Sequence, residues 1–231
     1  MQTSHLILLR HGQSQWNLEN RFTGWADPSL TDLGLKEAIE AGHKIKNLNL
    51  KFNCAYTSVL KRAIHTLWEV LKVNNTEWLT VNKDYRLNER HYGALTGLNK
   101  KETAEKYGKE QVFTWRRSFI TPPPLLEFND KRHPAFDERY NHLDKKSLPS
   151  GESLKDCLNR FLPLWKESIS KELQLSKNLI IAAHGNSLRA LILELEKISP
   201  EDITQVELNT GVPVHYELNS STLAVIKKTI L

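Results

Sequence analysis

Apolar residues recur along this chain at two periods, and their alternation sets out the elements. Leu6, Ile7, Leu8 and Leu9 form a continuous run too short for a helix and bounded by Gly12, which predicts a buried strand. Leu179 to Ala183 repeat that pattern. Further strands are predicted around 52–56, within 78–87, and at 214–218 and 223–226, the last two paired at a sheet edge. Between these runs helical spacing takes over. Thr31 and Asp32 open a helix with apolar positions Leu35, Ala38, Ile39, Gly42 and Ile45. Ser58 stands where it would cap a second, whose stripe Leu60, Ala63, Ile64, Leu67, Trp68 and Leu71 predicts a core-facing surface. A helical stretch over about 99–118 is broken at Gly108. Ser153 and Asp156 make a capping box ahead of Leu154, Cys157, Leu158, Phe161, Leu162, Trp165 and Ile169, with a kink predicted at Pro163. Leu188, Leu191, Ile192 and Leu195 mark the last helix. Strands alternating with amphipathic helices predict an α/β fold, a three-layer sandwich with a central mostly parallel sheet flanked by helices.

Two stretches show no period. Residues 17–28 read as a loop rich in hydrogen-bond donors that could hold a phosphate, and 121–151 hold Pro122-Pro123-Pro124, His133-Pro134 and Leu148-Pro149 within a mixed charge run. A loop of the second length inside a compact domain has a function or lacks order. No repeat or low-complexity linker divides the chain, so residues 1–231 are expected to form one domain carrying 121–151 as a long loop insertion.

Charge and composition narrow the chemistry. The net charge of +5 fits either a nucleic-acid surface or a concentrated pocket for small polyanions. Basic residues are dispersed without a nucleic-acid motif, so a polyanionic metabolite is the better account and no nucleic-acid partner is expected. No 18-residue apolar stretch or secretory leader pattern is seen, so neither a membrane span nor secretion is expected. Cys54 falls in a predicted strand and Cys157 on the apolar face of a predicted helix, as reduced, buried thiols of a cytoplasmic protein would, and no metal-ligand spacing is present.

The first strand delivers Arg10-His11-Gly12, and the repeat of its pattern delivers His184-Gly185-Asn186-Ser187. Open α/β sheets collect ligands beyond the carboxyl ends of their strands, so two strand-end histidines 173 residues apart predict one convergent site. The helix that begins after His184 offers free amides and partial positive charge to an anion. Arg62, in the first turn of its helix, opposes the macrodipole at a cost of only about 0.5 kcal/mol. Arg10 beside an imidazole would favour its neutral, nucleophilic form.

Four stretches carry a resemblance: Arg21-Phe22-Thr23-Gly24-Trp25, residues 56–63 (Tyr56-Thr57-Ser58-Val59-Leu60-Lys61-Arg62-Ala63), Leu87-Asn88-Glu89-Arg90-His91-Tyr92-Gly93, and residues 182–189, which contain His184-Gly185-Asn186-Ser187. With Arg10-His11-Gly12 they resemble the histidine phosphatase superfamily, and within it the bisphosphoglycerate-dependent phosphoglycerate mutases. The resemblance implies a phosphoglycerate mutase-like fold and interconversion of 3-phosphoglycerate and 2-phosphoglycerate through a phosphohistidine primed by 2,3-bisphosphoglycerate, without metal. It implies His11 as nucleophile, Glu89 as proton donor and acceptor, His184 as transition-state stabiliser, and Arg10 and Arg62 beside them. For binding it implies Ser14, Asn17, Thr23, Gly24, Arg90, Tyr92, Lys100, Arg116, Arg117, Gly185 and Asn186. It further implies a cytoplasmic homodimer or homotetramer. His65, His91 and His215 have no assigned chemistry and are expected to be structural.

Two departures from the mutase pattern stand out. Gln13 occupies a position where many mutases have glutamate. The sequence ends at Leu231, soon after the last strand, where many mutases continue into a tail over the active site. Weaker retention of the bisphosphorylated intermediate is therefore expected, with residues 121–151 as a partial substitute cover.

Overall fold

The computed structural model describes residues 2–231. Six strands form one sheet in the order β3-β2-β4-β1-β5-β6: β1 (Thr3–Arg10), β2 (Cys54–Thr57), β3 (Thr80–Lys83), β4 (Leu179–Ala183), β5 (Pro213–Asn219) and β6 (Val225–Ile230). The first four strands run parallel, while β5 and β6 close one edge as an antiparallel pair. This is the three-layer α/β arrangement that the alternation predicts.

Period-two burial explains why the sheet is covered on both sides. Leu6 and Leu8 point to one face, with Tyr56, Ile181, Val214 and Tyr216. Ile7 and Leu9 point to the other, with Ala55, Ile180 and Ala182. The first face is covered by α6 (Leu154–Leu164), a π-helical turn at Trp165–Ile169, α7 (Ser170–Gln174) and α8 (Gly185–Glu196). Helices α2 (Asp32–Lys46) and α3 (Lys61–Val73) cover the second. Among the described residues no helix is long and apolar enough to cross a membrane.

Several local expectations shift. Residues 17–28 are not wholly loop, because Ser14 and Asn17 close a capping box around the short helix α1 (Gln15–Leu18). In α2 the buried positions are Gly34, Ala38, Ala41, Gly42 and Ile45, whereas Leu35 and Ile39 are exposed. Small residues let α2 approach α3 closely, leaving larger side chains outside: a Cβ on Gly42 would lie 2.9 Å from that of Val73. Trp68 is not core, being 50% exposed and stacked on His65 at 5.2 Å. Pro163 does not break α6 but precedes the π-helical turn, a form of relief for a lost backbone donor. The helices α4 (Lys100–Tyr107) and α5 (Lys109–Arg117) meet at Gly108, as the break predicts.

Residues 121–151 are ordered by a small core of their own. Ala135, Tyr140 and Leu148 pack with Trp25. Leu126 N donates to Ser150 O at 2.8 Å, and Ala94 N to Pro124 O at 2.8 Å, so both ends of the segment are tied down.

Candidate active site

The two histidines meet because their strands are neighbours. Arg10 at the end of β1 is in register with Ala183 at the end of β4, and His11 N donates to Ala183 O at 3.0 Å. The rings of His11 and His184 then lie 5.0 Å apart, nearly edge to face. Chain separation is erased by one pair of parallel strands.

His11 is oriented by its own loop. Nδ1 donates to Gly12 O at 2.7 Å, which leaves Nε2 as the lone-pair nitrogen. Gly12 allows this tight exit, since a Cβ there would lie 2.1 Å from Gly34 O. Burial pushes the His11 pKa well below its ordinary value, and the charges of Arg62 and Arg10 push the same way. The sequence points to the arginines, but desolvation is the larger influence.

Arg62 is wholly enclosed at the start of α3. Its Nε faces His11 Nε2 at 3.3 Å, Nη1 donates to Ala26 O at 2.8 Å, and Nη2 donates to Gly24 O at 2.8 Å. Gly24 takes a left-handed φ of 54°, a conformation that costs glycine little. Burial lowers the Arg62 pKa to about 10, against an opposing pull from Glu89 and Asp27. It therefore stays charged at neutral pH.

His184 Nε2 lies 2.7 Å from Ser58 Oγ, which itself accepts from Leu60 N at 3.2 Å. Ser58 thus orients His184 instead of capping α3, whose N-cap is Leu60 without a side-chain bond. When Ser58 gives its hydrogen to Nε2, the ring proton is on Nδ1. That buried atom has no protein partner among the described residues and suits a phosphoryl oxygen, as does the buried, unpartnered Nε of Arg10. Burial, then Arg62, lowers the His184 pKa well below its ordinary value.

A cleft opens over His11, lined also by Arg10, Asn17, Thr23, Arg62, Glu89, Tyr92, Lys100, Arg116, Arg117, Gly185 and Asn186. Glu89 Oε1 accepts from Arg90 N at 2.7 Å and from Asn186 N at 3.2 Å, placing the carboxylate beside the start of α8. Lys100 has its pKa lowered by burial first, then by Arg116 and Arg10, with Tyr92 opposing.

Three expected binding residues stand behind the cleft wall. Ser14 is spent on the α1 cap, and Gly24 offers its carbonyl to Arg62. Arg90 is buried, stacks over Tyr92 at 4.8 Å and donates to Arg116 O at 2.9 Å, so it supports two cleft residues. Gln13 likewise turns away, its Oε1 accepting from Thr31 Oγ1 at 3.0 Å. None of residues 121–151 lines the cleft, so the expected cover is not in place.

Arg21 and Arg189 line the cleft without having been assigned there. Arg189 lies four residues after Gly185 on α8, and that spacing puts both on one helix face. Its Nε donates to Val206 O at 2.7 Å, and burial, then Arg117, lowers its pKa to about 10. Among the described residues no cluster of His, Cys, Asp and Glu could hold a metal ion. The arrangement offers a neutral nucleophile, donors about it and one carboxylate, which are the parts phosphoryl transfer requires.

Solved structures share this fold. A mycobacterial glucosyl-3-phosphoglycerate phosphatase is 22% identical, with 99% of this chain and 97% of that one covered at a TM-score of 0.73. Bacillus stearothermophilus YhfR is 20% identical over 96% and 95%, with a TM-score of 0.72. A phosphoglycerate mutase from Bacillus anthracis is 19% identical over 100% and 92%, with a TM-score of 0.67. The sequence pattern of the histidine phosphatase superfamily (branch 1) matches residues 6–132 and 123–227. The chain therefore belongs to that superfamily, and phosphoryl transfer through a phosphohistidine is its chemistry.

Proposed function

We propose that this protein is a 2,3-bisphosphoglycerate-dependent phosphoglycerate mutase. The observation that carries the reading is the charge of the cleft: six arginines and Lys100 line it against the single carboxylate of Glu89. One phosphate needs only the group around His11. The remaining cations suit a ligand with further anionic groups, such as a carboxylate and a second phosphate on three carbons.

In this reading His11 Nε2 attacks phosphorus, and its lone pair forms the N–P bond. The P–O bond breaks with its electrons on the sugar-acid oxygen, which takes a proton from Glu89. In the transfer to substrate Glu89 removes the proton from the free hydroxyl of an incoming monophosphoglycerate as that oxygen attacks the phosphohistidine and the N–P bond breaks, giving 2,3-bisphosphoglycerate, from whose other carbon His11 then takes the phosphoryl group back. His184 and Arg62 hold the phosphoryl oxygens in both directions. The unpartnered Arg10 Nε and His184 Nδ1 supply donors that the phosphate of 2,3-bisphosphoglycerate can use when it primes the enzyme.

The glucosyl-3-phosphoglycerate phosphatase among the structural neighbours favours a second reading, in which water takes the phosphoryl group. Product analysis separates the two. With 3-phosphoglycerate and a trace of 2,3-bisphosphoglycerate, 2-phosphoglycerate should accumulate far faster than inorganic phosphate, and His11→Ala should make neither. Phosphate as the main product would establish the hydrolytic reading instead.

A further inference from the structure

Arg160 flanks the buried stripe of α6, in the turn after Cys157, with its side chain only 9% exposed, where a guanidinium is costly unless its donors are satisfied. It meets that requirement on Glu152 and on the backbone that carries Glu89. Nε and Nη2 donate to the two oxygens of Glu152 at 2.6 and 2.9 Å. Nη1 donates to the carbonyls of Tyr85 and Arg86 at 3.0 and 2.8 Å, and Nη2 reaches those of Asn88 and Glu89 at 3.2 and 3.3 Å. Glu152 in turn accepts from His91 N at 2.8 Å. Trp25, whose ring lies 5.3 Å from the guanidinium, donates Nε1–H to Glu89 O at 2.6 Å. The backbone on both sides of Glu89 is therefore held from behind, while its carboxylate lines the cleft.

We propose that Arg160 and Trp25 are positioning residues for the proton-transferring carboxylate, fixing the 85–91 backbone so that Glu89 meets the oxygen leaving phosphorus. This rests on the assignment of Glu89 as proton donor. When His11 takes a phosphoryl group from an alkyl phosphate, the departing alkoxide oxygen needs the Glu89 proton. A dinitrophenolate departs without one. Misplacing a reacting group by about 1 Å can cost about a hundredfold, so loss of the clamp should slow only the first reaction.

The test measures His11 phosphorylation by rapid quench with 2,3-bisphosphoglycerate and with 2,4-dinitrophenyl phosphate. Arg160→Lys keeps the charge but loses the planar fork, and Trp25→Phe keeps the ring but loses the donor. Arg160→Met with Glu152→Met removes both buried charges together and serves if the single Arg160 variant fails to fold. Each variant should be about tenfold to a hundredfold slower with the alkyl donor and within about threefold of wild type with the aryl donor. In a Glu89→Gln background the same changes should cost nothing further. Equal losses on both donors, or a loss that persists beside Glu89→Gln, would overturn the positioning role. Should Glu89→Gln itself treat the two donors alike, the assignment of Glu89 would fall, and the proposal with it.

Discussion

At His11, burial and two guanidiniums push in one direction, while the Nδ1 bond to Gly12 O pushes weakly in the other. His184 and His91 are also enclosed and kept neutral by burial, His91 at a pKa of about 3 with its Nδ1 accepting from Gly93 N at 3.0 Å. Above pH 6.5 such a histidine is neutral in the folded and unfolded chain alike, so it contributes no pH dependence. Below pH 6.5 only the unfolded chain takes the proton, and stability falls as pH falls until the folded pKa is reached. Each buried histidine then accounts for about 1.4 kcal/mol per pH unit. His91→Asn retains an acceptor for Gly93 N and removes one such proton. Urea unfolding between pH 6 and 4 should show the variant losing about 1.4 kcal/mol per pH unit less than wild type. Parallel stability curves would mean that His91 is already protonated in the folded protein.

Among the elements, the joint between the β1 exit and the start of α2 decides where His11 stands. Gly12 and Gly34 bring two backbones into contact, and a Cβ on Gly34 would lie 2.1 Å from Gln13 O. Neither backbone can give way as a side chain can. Gly34→Ala should therefore cost about 1–3 kcal/mol of stability, read from the denaturation midpoint, and should slow His11 phosphorylation although residue 34 lines no part of the cleft. An alanine variant with wild-type stability would show that α2 can slide away freely. A comparable lesson comes from α3. Its apolar stripe is legible in sequence, yet Trp68 falls outside the core because the helix is covered only by α2 and the sheet, leaving that flank in solvent.

For the molecule as a whole, the concentration of cations in one cleft is a cost of folding that an anion relieves. Arg62 and Arg189 are both pushed down to about 10, by burial before anything else. Inorganic phosphate at a hundred times its Kd should stabilise the protein by about 2.7 kcal/mol, visible as a higher Tm. Arg10→Met removes the unpartnered guanidinium donor at the cleft and should leave most of that gain out of reach at the same phosphate concentration. An equal rise in the two proteins would place the anion elsewhere.

The sequence by itself determined the alternation of strands and helices and the caps at Thr31 and Ser153, and strand-end placement singled out His11 and His184, because period, capping and strand ends are local properties. It also marked Arg62 as out of place in a helix's first turn, which its contact with His11 explains. Tertiary structure alone decided which donors face the cleft. Ser14, Gly24 and Arg90 carry plausible chemistry but spend it on a cap, on Arg62 and on Arg116. Ser58 changed from cap to partner of His184 because β2 lies beside β4, a pairing no local pattern encodes. Arg160 is not marked by the apolar pattern of its helix, because its partners lie up to 75 residues away along the chain. Residues 121–151 read only as a long loop without period because their order comes from packing on Trp25, a contact that exists only once the chain has folded.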